Sequence, residues 1–446
     1  MSEVRTVRIG TGAGFAGDRI APAVDLAKRG ALDFLVFECL AERTIALAQQ
    51  ARLHDPSGGF DRLLERRLRA VLPACHANGT RIVTNMGAAN PRAAARRAAD
   101  VARDLGLRGL RVAAVLGDDV LDRTGDIALD ELGATVRELG DRVISANAYT
   151  GIRGIVAALD AGADVVVCGR VADPALFVAP LVQTHRWAMD DWDRLGKGTL
   201  IGHLLECAAQ VTGGYFADPG RKDVPNLAEI GFPIAEVGAD GNAVVSKLEG
   251  TGGQVTRATC IEQLLYEVHD PAAYMQPDVI ADFSQVQFER IGPDRVRVTG
   301  GTGRRAPAML KVSVGYRDGW IGEGQISYAG SGCVARGRLA ADLVTARLGP
   351  LGDDVLERRS DLIGYDAVSR AVRDPRPDPP EIRMRFAARC RTRAGAHRVA
   401  EEVEGLYLCG PSGGGGFTGR TQEVVAIASG YIAAPDVCQT HEMTET

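Results

Sequence analysis

The stretch from Val143 to Leu176 constrains the fold more than any other part of the chain. Val143-Ile144-Ser145 opens an apolar run that ends in Asn147-Ala148-Tyr149. Ile152, Ile155, Val156 and Leu159 then recur at helical spacing. Gly162 follows the last periodic residue, where a helix C-terminus favours positive φ. Asp164-Val165-Val166-Val167-Cys168 reads as a strand buried on both faces, the pattern of a parallel sheet. Gly169-Arg170-Val171-Ala172-Asp173-Pro174 closes the unit, with Asp173 at an N-cap position and Pro174 in the first turn of a helix. A βαβ unit results, with polar groups just past both strand ends, where parallel α/β folds bind ligands.

The same grammar runs through the N-terminal half. Strands are expected at Val4–Gly10, Asp33–Glu38, Thr80–Thr84 and Arg111–Leu116, separated by helices. Asn90 and Pro91 mark the start of the helix Arg92–Leu105. Composition shifts near Pro225. Beyond it, alternating segments such as Met309–Tyr316, Trp320–Tyr328 and Glu381–Arg389 read as antiparallel strands. Arg373–Pro380 reads as a Pro-rich link. The expected class is α/β: a mostly parallel sheet built from βα units over 1–224, then an α+β domain of mixed or antiparallel strands over 225–446. That second domain is expected to end in a strand, a Gly-rich loop and a helix from Gln422.

Three Gly-rich stretches are candidate anion cradles, since exposed backbone N–H groups beside a helix start attract phosphate or carboxylate. The first holds Gly12, Gly14, Phe15 and Gly17 before Arg19, the second Gly252 and Gly253, the third Ser412, Gly413, Gly414 and Gly415. Each is equally a tight structural turn. The GxGxxG within Gly12–Gly17, with Glu38 ending the next strand, loosely fits a dinucleotide site and leaves an NAD-dependent oxidoreductase open. Thr84, Asn85 and Asn147 stand at strand ends as neutral hydrogen-bonding groups, and Arg170 as a charged one. Glu38, Asp173, His203 and Glu206 are the acid–base candidates. His203 and Glu206 lie three apart on one helix face, read over Gly198–Gln210. His203 reads equally as a packed core histidine. Glu42 reads as the acidic first turn of its helix, and Asp118-Asp119 as a polar strand end.

Composition removes several classes. A net charge of −5 and a pI near 5.9 argue against nucleic acid. No run of 18 apolar residues suggests a membrane span. Nine cysteines, an odd number with no CxxC, read as reduced thiols of a cytoplasmic chain. No metal-binding motif is present.

Taken together, Gly12-Ala13-Gly14-Phe15 to Arg19, Thr84-Asn85-Met86-Gly87, Asn147-Ala148-Tyr149 and Gly169 to Leu176 resemble the acyclic terpene utilisation AtuA family. Glu206-Cys207 with Gly213-Gly214, Glu249 to Gly253 with Gln263 to Glu267, and Gly410 to Gly416 extend the resemblance over nearly the whole chain. The resemblance implies a role in the breakdown of citronellol- and geraniol-type compounds through acyl-CoA thioesters. Some relatives carry a further small C-terminal domain, a piece expected to be either absent here or supplied by a small separate partner protein; a homo-oligomer is also expected. The expected activity is that of a lyase or hydratase acting on a small carboxylate or acyl-CoA; no cofactor is assigned, and a CoA thioester is open as the substrate. A non-catalytic ligand-binding or assembly subunit is the alternative from another class.

Overall fold

The structure, a computed structural model, describes residues 6–369 and 377–446. Positions 4–5 of the expected first strand and 373–376 of the Pro-rich link lie outside the described residues. The chain divides into two compact units, one of residues 1–315 with 427–446 and one of residues 316–426.

The first unit is built on a ten-stranded sheet. At its centre lie five parallel strands: β1 (Val7–Ala13), β2 (Phe34–Phe37), β3 (Arg81–Thr84), β4 (Arg111–Leu116) and, after the strand β5 (Val143–Ala148), β6 (Val165–Cys168), in the order β1-β2-β3-β6-β4. Alternate residues of these strands feed two cores. Val36, Val83, Ala113 and Val166 pack with the helices Arg153–Asp160, Ala175–His185 and Trp192–Glu206. Leu35, Ile82, Ala114 and Val167 pack with Ala21–Arg29, Leu64–Asn78 and Pro91–Asp104. A parallel sheet covered on both faces explains why its strands read as continuous apolar runs.

The flanks are antiparallel. β7 (Pro233–Val237) pairs with β1, β8 (Ala243–Lys247) continues that edge, and the C-terminal strand Thr440–Glu445 closes the other side against β4. The expected boundary at Pro225 therefore falls inside the first unit, because the strands beyond it complete the β1 edge rather than starting a new sheet. The second unit is an antiparallel sheet that includes Val355–Ile363 and Glu381–Cys390; helices Cys333–Arg347 and Arg393–Glu404 pack on it.

Three local expectations are corrected. β5 is a strand, but it leaves the main sheet and pairs with the long strand Met309–Ala329. Its buried Asn147 donates there to Asp118 and accepts from Gln49, partners that an all-apolar sheet position could not supply. Leu406–Cys409 is a helical turn, and the segment read as a helix from Gln422 belongs to the strand Gly415–Ala433. The histidine-bearing helix starts at Trp192, where the Asp191 side chain caps the Arg194 N–H, and ends at Glu206.

Gly10 and Gly12 lie within β1, not in a turn. A methyl group on Gly12 would stand 2.5 Å from the fully buried Phe37 ring. Gly12→Ala is expected to destabilise the chain by about 1–3 kcal/mol, as overpacking of a close-packed core does; a denaturant melt reads the change.

Candidate functional site

The carboxyl ends of β2, β3 and β6 converge on a cluster of titratable side chains. Glu38 follows β2, Asn85 follows β3, and Arg170 and Asp173 follow β6. Asp173 was expected to cap the next helix. The helix instead begins one residue later with Pro174 at its N-cap, which leaves the Asp173 carboxylate to meet Arg170 Nη2 at 2.5 Å. Arg170 is fully buried. It also donates to the Leu40 carbonyl, and its guanidinium lies 4.1 Å over the Tyr149 ring. Burial opposes its charge, but Asp173, Tyr149, Glu38 and Glu42 outweigh that and hold it protonated.

Around this cation the carboxyl groups separate into two kinds. Glu38 is buried and is pushed well above the usual carboxylate range, first by loss of water and then by the Asp173 charge. Its Oε1 accepts from the Leu40 N–H at 2.7 Å and the Asn85 amide at 2.9 Å. Asp173, half-buried, is also raised, by desolvation and by Glu42 and Glu267, against the pull of Arg170. Glu42 goes the other way. Burial would raise it, but the hydrogen bond from the Tyr149 hydroxyl and the charges of Arg170 and Lys311 hold it at about 2. One site thus holds carboxyls pushed toward the protonated form beside one held ionised, the arrangement acid–base chemistry requires.

His203 and Glu206 join the cluster from the helix above it. His203 Nδ1 lies 2.7 Å from Glu206 Oε1, and Nε2 lies 3.2 Å from the Leu264 carbonyl. The ring packs between Tyr274 and Phe283, with centroids at 5.2 and 5.9 Å. With both nitrogens engaged and no exposed edge, His203 cannot touch a substrate; it positions Glu206. Burial pushes Glu206 up to about 7, against the pull of His203 and with Asp173 and Glu267 adding to the rise. Glu206 Oε2 is buried without a hydrogen-bond partner.

Next to this cluster opens a cleft of about 460 Å³. Its walls are mostly apolar, including Pro174, Met275, Pro277, Met309 and Leu310, and its polar side chains are Asp173, Tyr149, Tyr274, Gln276, Lys311 and Tyr431. Asp173 is common to the cleft and the carboxyl cluster. The volume and the few convergent polar groups are those of a small-molecule site.

Other expected site residues serve elsewhere. Thr84 Oγ1 donates to the Phe37 carbonyl and accepts from the Met86 N–H. Asn85 holds the Cys39 N–H as well as Glu38, and Asn147 donates to Asp118. All three are supports behind the site. At the first Gly-rich loop, Asp18 accepts the Gly14 N–H at 2.9 Å, so a carboxylate already stands where an anion would bind. The buried Arg67 holds the same loop by the Phe15 and Ala16 carbonyls. Arg19 donates to the Ala228 carbonyl on the surface. The N–H groups of Gly252 and Gly253 donate to the Glu229 and Pro225 carbonyls, so neither is free for an anion. Ser412, Gly413, Gly414 and Gly415 belong to the second unit. There Gly413 turns at φ +74°, and Gly414 lies against Ile326 and Tyr328.

Sequence reasoning missed Tyr149, Lys311, Tyr274 and Glu267 as site residues. Tyr149 had a signal, since it directly follows a strand end. Lys311 had none, because one lysine in an alternating strand looks like any solvated position.

Asp118 sits behind Arg170 and accepts its backbone N–H at 2.8 Å and the Asn147 amide at 2.9 Å. Burial pushes its carboxyl up to about 6. A folded value above the unfolded one means the folded chain holds this proton more tightly. The contribution is therefore fully present below the unfolded pKa of about 4 and is lost as pH rises through about 6. Asp118→Asn keeps an acceptor oxygen without the charge. It is expected to exceed the parent in stability by about 2–3 kcal/mol at pH ~8 and to match it near pH ~4. Denaturant melts at the two pH values check this.

Among the described residues, no group of three His, Cys, Asp or Glu side chains is arranged to hold a metal ion. No described helix is long and apolar enough to cross a membrane. A family model for acyclic terpene utilisation family protein AtuA matches residues 7–443. No curated protein and no solved structure matches the chain.

Proposed function

The chain belongs to the acyclic terpene utilisation AtuA family, and we propose that it is a hydratase- or lyase-type enzyme acting on a branched, unsaturated acyclic carboxylate or its CoA thioester. The observation that carries this reading is Asp173, which lines an apolar cleft and stands among carboxyl groups whose hold on a proton is strengthened by burial.

The cleft suits a branched hydrocarbon chain, whose burial contributes about 25 cal/mol per Å² of apolar surface. Lys311 on the cleft wall and the buried Arg170, both close to the Tyr149 ring, supply a positive side for the carbonyl or carboxylate oxygen. In hydration, water forms a C–O bond at the β-carbon as the C=C π bond opens. A proton passes to the α-carbon, and the water proton goes to a second carboxylate. Asp173 is the proton donor or acceptor on the cleft side. Glu206, backed by His203, is its partner and Glu38 the buried proton reserve. No electrons leave the substrate, so no redox cofactor is needed.

The test is incubation of the protein in D2O with geranoyl-CoA and, separately, with geranate, followed by mass spectrometry and NMR. The expected product is the hydrate, with deuterium at the α-carbon. Bound but unchanged substrate, without hydrogen exchange, would overturn the enzyme reading in favour of a ligand-binding protein.

A further inference from the structure

A second cleft, of about 360 Å³, lies against the first Gly-rich loop and is not used above. Phe15, Tyr215 and Tyr266 stand around it, with Cys207 on its wall and Gln210 and Asp18 as polar edges. Phe15 is 60% exposed and Tyr215 88% exposed, unusual for large aromatic side chains that face one cavity. Tyr215 and Tyr266 meet edge-on, with centroids 6.4 Å apart.

The backbone around this cleft is strained. Among the described residues eight non-glycine positions have positive φ, and three are here: Ala208 at 44°, Tyr215 at 60° and Glu267 at 59°. Each such conformation costs on the order of 1–3 kcal/mol unless surrounding structure enforces it. Tyr215 recovers little of that by burial, since its side chain stands in water. Strain held at an exposed aromatic is the mark of a site shaped for something outside the chain.

A wider, more open cleft of about 790 Å³ adjoins it through Tyr266. Its walls carry Arg221, Lys222, Gln254 and Thr256. Lys222 is already engaged, by Glu262 at 2.6 Å and by the Phe216 ring, while Arg221 is exposed. The two chain segments that wall the aromatic cleft, Glu206-Cys207 and Tyr266-Glu267, also bring to Asp173 two of its neighbouring carboxyls.

We infer that this cleft is a second binding subsite, which stacks the planar base of a phosphorylated nucleoside on Phe15, Tyr215 and Tyr266 and leads its phosphates toward Arg221. Aromatic faces accept any base, and Gln210 and Asp18 offer hydrogen bonds to its edge. The chemistry is shared by two sources, the nucleotide end of CoA and a free adenine nucleotide. Only the first rests on the thioester reading above.

The test is calorimetric titration of the full chain with CoA, ATP, NADH and geranate, repeated on Tyr215→Ala, Tyr266→Ala and Met309→Ala. Tyr215 is exposed, so its loss leaves the fold intact, and the melting temperature checks this. CoA is expected to bind, and Tyr215→Ala to weaken it by about 5- to 150-fold, the value of one base–aromatic stack. Met309→Ala should weaken geranate alone. Equal, Tyr215-dependent binding of CoA and ATP assigns the subsite to nucleotides at large; CoA alone assigns it to the thioester. No binding of any nucleotide, or binding indifferent to both tyrosines, overturns the inference. Turnover of geranate in that case leaves the proposed reaction standing without it.

Discussion

Asp173→Asn is expected to lower turnover by about 10²- to 10⁴-fold, the usual contribution of a positioned acid or base, while the melting temperature stays within a few degrees of the parent. The side chain is half-buried and at the rim of the cleft, so an isosteric amide fills its place. Arg170 keeps the Leu40 carbonyl, the Tyr149 ring and the nearby Glu42 charge after the change. What is lost is a carboxyl that can hold and release a proton. Steady-state assay of the purified variant beside a thermal melt separates the two effects. An equal loss of activity and stability would mean that Asp173 only braces Arg170.

Arg170→Met should be the most destabilising single change in the first unit, by about 3–5 kcal/mol in a denaturant melt, since removing one partner of a buried pair leaves the other charge uncompensated. The guanidinium pairs with Asp173 and faces the ionised Glu42. Its removal also takes away the force that opposes the raised carboxyls, so Asp173 and Glu38 should hold their protons to higher pH still. The alkaline limb of the pH–rate profile should move up accordingly. Arg170→Lys should restore only part of the stability, because one ammonium cannot reach the Leu40 carbonyl and Asp173 as the forked guanidinium does.

The parts of this molecule that sequence made legible are those governed by local rules. Gly162 after the helix Arg153–Asp160, Asn90 and Pro91 at the start of the helix Pro91–Asp104, and the apolar β6 are where their chemistry places them. The acid–base candidates Glu38 and Asp173 come together because strand ends in a parallel sheet share one edge, and Glu206 reaches them from the end of the helix Trp192–Glu206. What was not legible depends on partners far along the chain. β5 looks like a sheet strand until Met309–Ala329 draws it out. The tail read as a helix is a strand, since isolated apolar runs do not fix their own periodicity. Glycine misleads most easily. Gly12 and Gly14 suggest a phosphate loop, yet one keeps clear of Phe37 and the other of the Cys207 backbone. His203 shows the reverse case, a residue of catalytic type whose packing confines it to holding another side chain.

The central claim is that the apolar cleft and the Asp173 cluster are one reacting site. A crystal structure of the Asp173→Asn protein with geranate tests it most directly. The branched chain is expected between Met275 and Met309, with its carboxyl end between Tyr149, Lys311 and residue 173. Geranate bound elsewhere, or reversed so that the carboxylate points out past Tyr431, would contradict it.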